Sequence, residues 1–245
     1  MLPRFALNPG HDIASLKGEF ARFGMLSIAD ILSVETADWL YALLRGREDW
    51  KQSIASGNSL VELDRPTRAA LNAQQRAELD NAVYGSARQQ FQFRYETLRV
   101  PDDDAGRANS SDPLAAFARW WSHGEPRDFL REVMSLPGID FADLQATAYS
   151  PGDFLTGHTD DVDGKGRLAA YVLGLTPKWA VEWGGMLAFH DEVANRVLAL
   201  PPAFNRLNLF KVPRLHSVTE VTRIAPYRRY ALTGWLRTGT PGMAA

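Results

Sequence analysis

The sequence predicts an α+β fold with a mainly β core: a double-stranded β-helix, or jelly roll, of about eight strands in two sheets, supported by N-terminal helices. Three observations predict it. From Leu144 onward about eight strand-like runs follow one another (LQATAYS, FLTGH, LAAYVLGL, GMLAFH, RVLAL, RLNLFKV, HSVTEV and RYALTGWL), separated by Gly, Pro, Asp and Asn turns with no convincing helix between them. Before Asp140 the apolar residues recur instead at helical spacing between capping residues. The 245 residues, 45% hydrophobic and 23% charged, are enough for one sizeable core. With no internal repeat, the chain reads as a single domain over 1–245: helical support with flanking strands over 1–143, the jelly-roll core over 144–237, and a frayed tail over 238–245.

Each element has its own signal. Asp12 is a good N-cap for a helix carrying Ile13, Leu16, Phe20 and Phe23, with Gly24 as its stop and a short strand at Met25 to Ile28. A second helix over Glu35 to Arg45 aligns Trp39, Leu40, Leu43 and Leu44, with Gly46 as the stop. Residues 47–64 are mixed and receive no firm assignment. Asn72 followed by Gln75 resembles a capping box, and Leu79, Ala82, Val83 and Ala87 carry the helical stripe onward. Phe91, Phe93, Tyr95, Thr97 and Arg99 then alternate with polar residues as in a strand. PDDDAGRANSSDP reads as a solvated mobile loop, because consecutive carboxylates repel and no His is close by. Pro113 starts a helix with Leu114, Phe117, Ala118 and Trp121 that ends at Gly124, and Pro126 opens another that stops at Pro137-Gly138.

Composition excludes several function classes. Lys plus Arg total 27 against 29 for Asp plus Glu, a formal charge of −2, so no overall field selects nucleic acid or an anionic membrane. The absence of cysteine removes disulfides, thiolate metal sites, iron–sulfur clusters and cysteine nucleophiles. MLPRFALNPG has no long apolar stretch and no later run suits a membrane helix, so a cytoplasmic, soluble protein is expected; oligomeric state is open.

Three His-x-Asp/Glu pairs are present: His123/Glu125, His158/Asp160 and His190/Glu192. His123 sits at a helix end, where a histidine commonly meets the helix dipole, and His190 starts a turn where side chains usually meet water. His158 closes the apolar run FLTGH and leads into TDDVDGKG; in an extended segment its side chain and that of Asp160 share a side and can meet one ion. His216 begins another strand far off in sequence, as a third ligand should. Two imidazoles and one carboxylate hold a redox iron on one face and leave the other open. A calcium reading of the same loop fails, because an EF-hand frame with Gly164 at position six puts Thr159 at position one and Ala170 at position twelve.

The HTD pair, YVLGLTPKW, Gly184-Gly185 before a strand, FNRLNLFKV leading to HSVTEV, and an arginine six residues before Trp235 occur in an order that resembles the Fe(II)- and 2-oxoglutarate-dependent dioxygenases. The branch is prolyl-hydroxylase-like and similar to the catalytic domain of ribosomal-protein prolyl hydroxylases. The resemblance covers about 144–237 well and the N-terminal half loosely.

It implies iron at His158, Asp160 and His216, with 2-oxoglutarate and O2 at the remaining positions and ascorbate as an optional reductant. It implies Arg229 as the partner of the far carboxylate of 2-oxoglutarate, a bidentate role suited to a guanidinium. Arg228 is the alternative, since adjacent strand residues face opposite ways. Tyr171 and Tyr149 match family positions that line the cosubstrate pocket, with core packing as the other reading of each. The implied reaction is oxidative decarboxylation of 2-oxoglutarate to succinate and CO2 with hydroxylation of an unactivated C–H bond, in a prolyl or related residue of a protein or peptide. A free amino acid or small metabolite is the alternative substrate, a non-redox cupin-type module or isomerase the alternative class. Substrate-facing residues are expected in the polar strand around Gln92 to Glu96 and in the loop near Asp102 to Asp112.

Overall fold

The computed structural model describes residues 2–57 and 59–239; residues 240–245 of the expected tail lie outside them. The N-terminal helix α1, Ile13–Phe23, is capped by Asp12 on the Ser15 amide and ends at Gly24 in the left-handed region, where a residue without Cβ is favoured. Strand β1, Met25–Ile28, follows at once. α2, Val34–Gly46, begins at the Ser33 cap and buries Leu40 and Leu44.

Residues 47–64 hold a hairpin that the pattern does not reveal: β2, Lys51–Ser56, and β3, Ser59–Asp64. β2 buries four successive residues and β3 exposes most of its own, so neither alternates. The short helix α3, Arg65–Ala70, is followed by α4, Ala73–Ala87, with the Asn72/Gln75 capping box in place. β4 is Phe93–Arg99.

The segment expected as a mobile loop contains a helix, α5, Asp104–Asn109, capped by Asp103. The correction has a clear cause. Arg107 is buried and donates to the carbonyls of Pro101, Ala118 and Ala142 and to Ser122 Oγ, tying the segment to the helices behind it. α6, Pro113–Trp121, and α7, Gly124–Met134, complete the helical layer; α7 starts ahead of Pro126, and His123 is its N-cap without a side-chain capping bond.

Among the described residues the remaining strands are β5, Phe141–Ala142; β6, Gln145–Tyr149; β7, Phe154–His158; β8, Arg167–Leu175; β9, Leu187–Asp191; β10, Arg196–Leu200; β11, Phe204–Lys211; β12, His216–Val218; and β13, Arg229–Arg237, with a 3-10 turn at Val181–Trp183. The strand order β1-β11-β8-β13-β6-β4-β7-β12-β9-β10 is a sheet that curls over itself. β4 makes the fold: its C-terminal half pairs with β6 and its first residues pair with β7, joining a large sheet to the small β7-β12-β9-β10 sheet.

Alternation along β8 divides the molecule. Ala169, Tyr171, Leu173 and Leu175 pack outward against helical residues such as Leu40, Leu114 and Trp121 in the main core. Ala170 faces inward with Leu187, Phe189 and Phe210. The outer face supplies most of the buried apolar area, and hence most of the stability, while the inner face is free to line a cavity. Among the described residues no helix is long and apolar enough to cross a membrane.

Candidate active site

The inner face encloses a cavity of about 530 Å3. His158, Asp160 and His216 lie at one part of its wall and Arg229 at another. His158 and His216 face each other across the β7–β12 pair, directly in register, with ring centroids 4.1 Å apart. Two residues lie between Leu155 and His158 on β7, whereas one lies between their partners Val218 and His216 on β12. The extra residue is a bulge, and it turns His158 to the inner side that Leu155 also faces.

Asp160 lies 3.3 Å from His158 Nε2 and 3.4 Å from His216 Nε2. The segment is not extended as expected from the i, i+2 spacing. Asp160 has φ 64°, the left-handed region that aspartate tolerates better than most residues, and this swings its carboxylate back between the imidazoles. Arg167 donates to the Asp160 carbonyl at 3.0 Å and stacks on Trp235 at 3.5 Å, bracing that turn.

The histidine tautomers follow from their partners. His158 Nδ1 is 3.0 Å from the Thr156 carbonyl and His216 Nδ1 is 2.8 Å from the Arg214 carbonyl. A carbonyl only accepts, so each Nδ1 carries the hydrogen and each Nε2 presents a lone pair toward Asp160. Burial, with His158 nearby, pulls His216 down to about 4, so it is a neutral ligand at neutral pH. Burial acts to raise the Asp160 carboxyl, but the side chains of His158 and His216 beside it outweigh burial and hold it below its ordinary value. Two neutral imidazole nitrogens and an ionised carboxylate within 4.8 Å of one another form a donor set suited to Fe(II).

Of the three sequence pairs, this is the one joined by a third ligand group. His190 lies in β9 rather than in a solvated turn and meets Ser217 Oγ at 2.8 Å. His123 contacts the Arg119 carbonyl and Asp104.

The two arginines have opposite fates. Arg228 points outward, pairing with Glu96 and donating to Ser150 Oγ. Arg229 points inward, is 4% exposed, and lies over the Tyr149 ring at 4.8 Å; it forms no ion pair among the described residues. Burial acts to lower its affinity for its proton, against the Tyr149 phenol beside it, which acts to raise it. Tyr149 borders the same space and stacks on Tyr95 at 4.9 Å; burial raises both phenols, Tyr95 to about 12.

Two expectations are corrected. Tyr171 borders the cavity only along its strand: its ring packs on Trp121 in the outer core, and its hydroxyl donates to the Asp143 carbonyl at 2.7 Å, away from Arg229. In β4 the cavity side is mainly aromatic, with Arg99 at the strand's end the one charged residue on it. Phe93 and Tyr95 face inward with Phe91 beside them, while Gln92, Arg94 and Glu96 face the other way into hydrogen bonds and ion pairs. The segment 102–112 does not border the cavity. Gln145, Thr147, Thr233 and Trp235 line it and were not singled out from sequence. Their signal is spacing alone, since Thr233 and Trp235 follow Arg229 at even intervals along β13.

A curled antiparallel sheet holding two histidines and one carboxylate beside a buried unpaired arginine defines a metal-dependent enzyme of the double-stranded β-helix class. Residues 144–237 match the family described as the 2OG-Fe(II) oxygenase superfamily, whose cofactors are Fe(II), 2-oxoglutarate and O2. The mouse (Mus musculus) protein named prolyl 3-hydroxylase OGFOD1 is 30% identical over 152 residues, 59% of this chain; the chain spans 27% of that relative's length. A Pseudomonas putida prolyl-4-hydroxylase has TM-score 0.60 at 19% identity, covering 93% of this chain and 100% of its own. A Trichoplax adhaerens prolyl hydroxylase, solved with a hypoxia inducible factor oxygen degradation domain peptide fragment, has TM-score 0.57 at 16% identity, covering 92% and 89%. Both structures share the fold.

Proposed function

We propose that this protein is an Fe(II)- and 2-oxoglutarate-dependent dioxygenase that hydroxylates a prolyl or related residue of a protein or peptide. The observation that carries the proposal is Arg229: a buried guanidinium without a carboxylate partner among the described residues, lining the same cavity as His158, Asp160 and His216. An isolated buried charge is costly unless a ligand completes it. A dicarboxylate that meets the metal at one end and Arg229 at the other does so. A non-redox cupin-type module has no need of such a cation.

His158, Asp160 and His216 would hold Fe(II), which with bound 2-oxoglutarate and O2 supplies oxidative decarboxylation to succinate and CO2 coupled to hydroxylation of a C–H bond. The chain's own residues do the rest. The Thr156 and Arg214 carbonyls fix the two ring tautomers, and Arg167 fixes the turn that presents the Asp160 carboxylate. Arg229, over Tyr149, orients the far carboxylate of the cosubstrate. Leu155, Val218 and Phe210 give the cavity apolar walls that would limit water beside a metal held there.

The substrate class rests on the aromatic lip. Phe91, Phe93, Tyr95 and Tyr149 form a continuous series of ring contacts, and Phe91 is 47% exposed at the mouth, 5.4 Å from the His158 ring. Such a surface suits a compact apolar ring such as pyrrolidine, with the flanking peptide left outside. The two prolyl hydroxylase structures and the prolyl 3-hydroxylase relative support the same class.

The test is succinate release from 2-oxoglutarate by the Fe(II)-loaded protein with proline-containing peptides, free proline and no substrate, with product mass read for a gain of one oxygen. Peptide-stimulated turnover is expected. Stimulation by free proline alone moves the substrate to the small-molecule class, and failure to bind both metal and 2-oxoglutarate overturns the enzyme reading.

A further inference from the structure

Asn208, in the middle of β11, is a second polar group on the inner face that the site as described does not use. It is 6% exposed. Its Oδ1 has no hydrogen-bond partner among the described residues, and no hydrogen bond of its Nδ2 is found there either. Leaving a buried amide unpaired costs on the order of 1–3 kcal/mol, and a half-turn of the amide exchanges its oxygen and nitrogen, so the orphaned position can take its nitrogen and donate to a partner that is not protein. The other inward residues of β11 show what the sheet normally places here: Phe210, two residues on, is an apolar wall residue.

The register locates the amide. Asn208 is opposite Val172 on β8, which is opposite Thr233 on β13, so the three form one rung across the large sheet. The next rung is Phe210, Ala170 and Trp235, on the side of the metal ligands. The rung on the other side is Arg206, Gly174 and Ala231; Gly174 and Ala231 carry no polar side chain, and the Arg206 guanidinium is turned to Ser27 Oγ on β1. At Gly174 a Cβ would lie 2.4 Å from the Ala203 carbonyl, so no side chain can be placed there without moving backbone. Asn208, Gly174 and Arg229 border one small recess together with Val172 and Leu187; it adjoins the main cavity, which Arg229, Val172 and Leu187 also line and Asn208 does not. Strand β8 therefore offers no hydroxyl to a ligand held by Arg229: Tyr171 faces outward, Val172 is apolar and Gly174 is bare. β11 offers an amide from the adjacent strand.

We propose that Asn208 is a cosubstrate-binding residue whose side-chain amide donates to the distal carboxylate of the 2-oxo acid alongside Arg229. Asn208 thereby helps select a dicarboxylate over a monocarboxylate 2-oxo acid. The inference rests on the dioxygenase reading above. A carboxylate accepts at several lone pairs, and a guanidinium fork leaves some of them free for a third donor.

The test uses the full chain loaded with Mn(II), so that binding is read without turnover. Mn(II) affinity is followed by its spin-resonance signal. Affinities for 2-oxoglutarate and for 2-oxobutyrate, which lacks the distal carboxylate, are measured by calorimetry, and melting is measured with and without each ligand. For Asn208→Leu, of similar volume, Mn(II) affinity stays as in wild type. The dissociation constant for 2-oxoglutarate rises about 10–100-fold, the equivalent of one hydrogen bond to a charged group, and that for 2-oxobutyrate changes less than about threefold. The ligand-free variant melts at the same or a higher temperature, because an unsatisfied amide has been removed. An Asn208 that only supports the fold gives the opposite pattern: lowered ligand-free melting and unchanged discrimination between the two acids. That result overturns the assignment, as does wild-type 2-oxoglutarate affinity in the variant. Asn208→Val, with higher strand propensity, is the second variant if Leu does not fold. Failure of wild-type Mn(II)-loaded protein to bind 2-oxoglutarate sinks the dioxygenase reading itself, an outcome visible before any variant is made.

Discussion

Replacing Arg229 by Met separates a cosubstrate clamp from a structural cation. The guanidinium is buried, has no acidic partner among the described residues, and has Tyr149 as its main neighbour, at 4.8 Å. Two hydrogen bonds to a carboxylate contribute about 1.5–3 kcal/mol each, so their loss weakens 2-oxoglutarate binding by on the order of 10^2–10^4-fold. The same substitution relieves an unpaired buried charge, which costs several kcal/mol, and forfeits a cation–π contact contributing about 2 kcal/mol. Desolvation wins, and the ligand-free variant melts at or above the wild-type temperature by about 2–4 °C per kcal/mol gained. With Mn(II) present and 2-oxoglutarate at about 100 times its dissociation constant, wild type gains about 2.7 kcal/mol from the ligand; Arg229→Met gains nothing measurable at that concentration. Thermal melts with and without ligand read both effects in one experiment. A variant that is less stable without ligand yet keeps its 2-oxoglutarate-induced shift refutes the reasoning and makes Arg229 a core residue.

Asp160→Asn and His216→Ala each lower Mn(II) affinity by more than the roughly 10–100-fold typical of losing an outer partner; metal titration checks this, and wild-type affinity in either variant removes that residue from the ligand set. Tyr171→Phe loses one hydrogen bond to the Asp143 carbonyl, lowering stability by about 1 kcal/mol while leaving 2-oxoglutarate affinity unchanged; a tenfold loss of affinity with an unchanged melt restores the tyrosine to the pocket. Asp153 is pushed up to about 7 by burial despite the Ser150 amide and Arg94 beside it. A carboxyl that ionises less readily folded than unfolded withdraws stability as pH rises from its unfolded value to about 7. Wild type should therefore lose stability relative to Asp153→Asn across that window and track it above and below. Urea unfolding as a function of pH checks the sign, and a difference that grows in the wild type's favour contradicts it.

The jelly-roll strands were legible because each is a short apolar run between turn residues, and all eight runs from Leu144 onward are strands in the structure. The α1 and α4 boundaries were legible because their caps are local chemistry, Asp12 with Gly24 and Asn72 with Gln75. The β2–β3 hairpin was not. Its inner strand is covered on both sides and its outer strand is mostly exposed, which erases alternation. Nor was α5, whose stability comes from Arg107 reaching carbonyls as distant in sequence as Ala142. The metal trio could be assembled from residue types, but its geometry could not. The bulge before His158 and the left-handed Asp160 are settled by pairing with β12 and by Arg167, neither of which leaves a local pattern.

Face assignment was the hardest part, and it decides function. Alternation says that neighbours on a strand face opposite ways but not which way is inward. Arg228 and Arg229 are equivalent in sequence; the structure separates them because Glu96 on β4 lies on the outer side and takes Arg228, together with Arg65 and Arg68. The same parity argument removes Tyr171 and admits Asn208. Tyr171 shares the outward face with Leu173, whereas Asn208 shares the inward face with Phe210. A tyrosine attracts attention and an asparagine in a run such as RLNLFKV does not. The unsatisfied groups mark the site more reliably than residue type. An arginine without an acid and an amide without a partner among the described residues, bordering the same recess, match the charge and hydrogen-bonding pattern of the dicarboxylate proposed above.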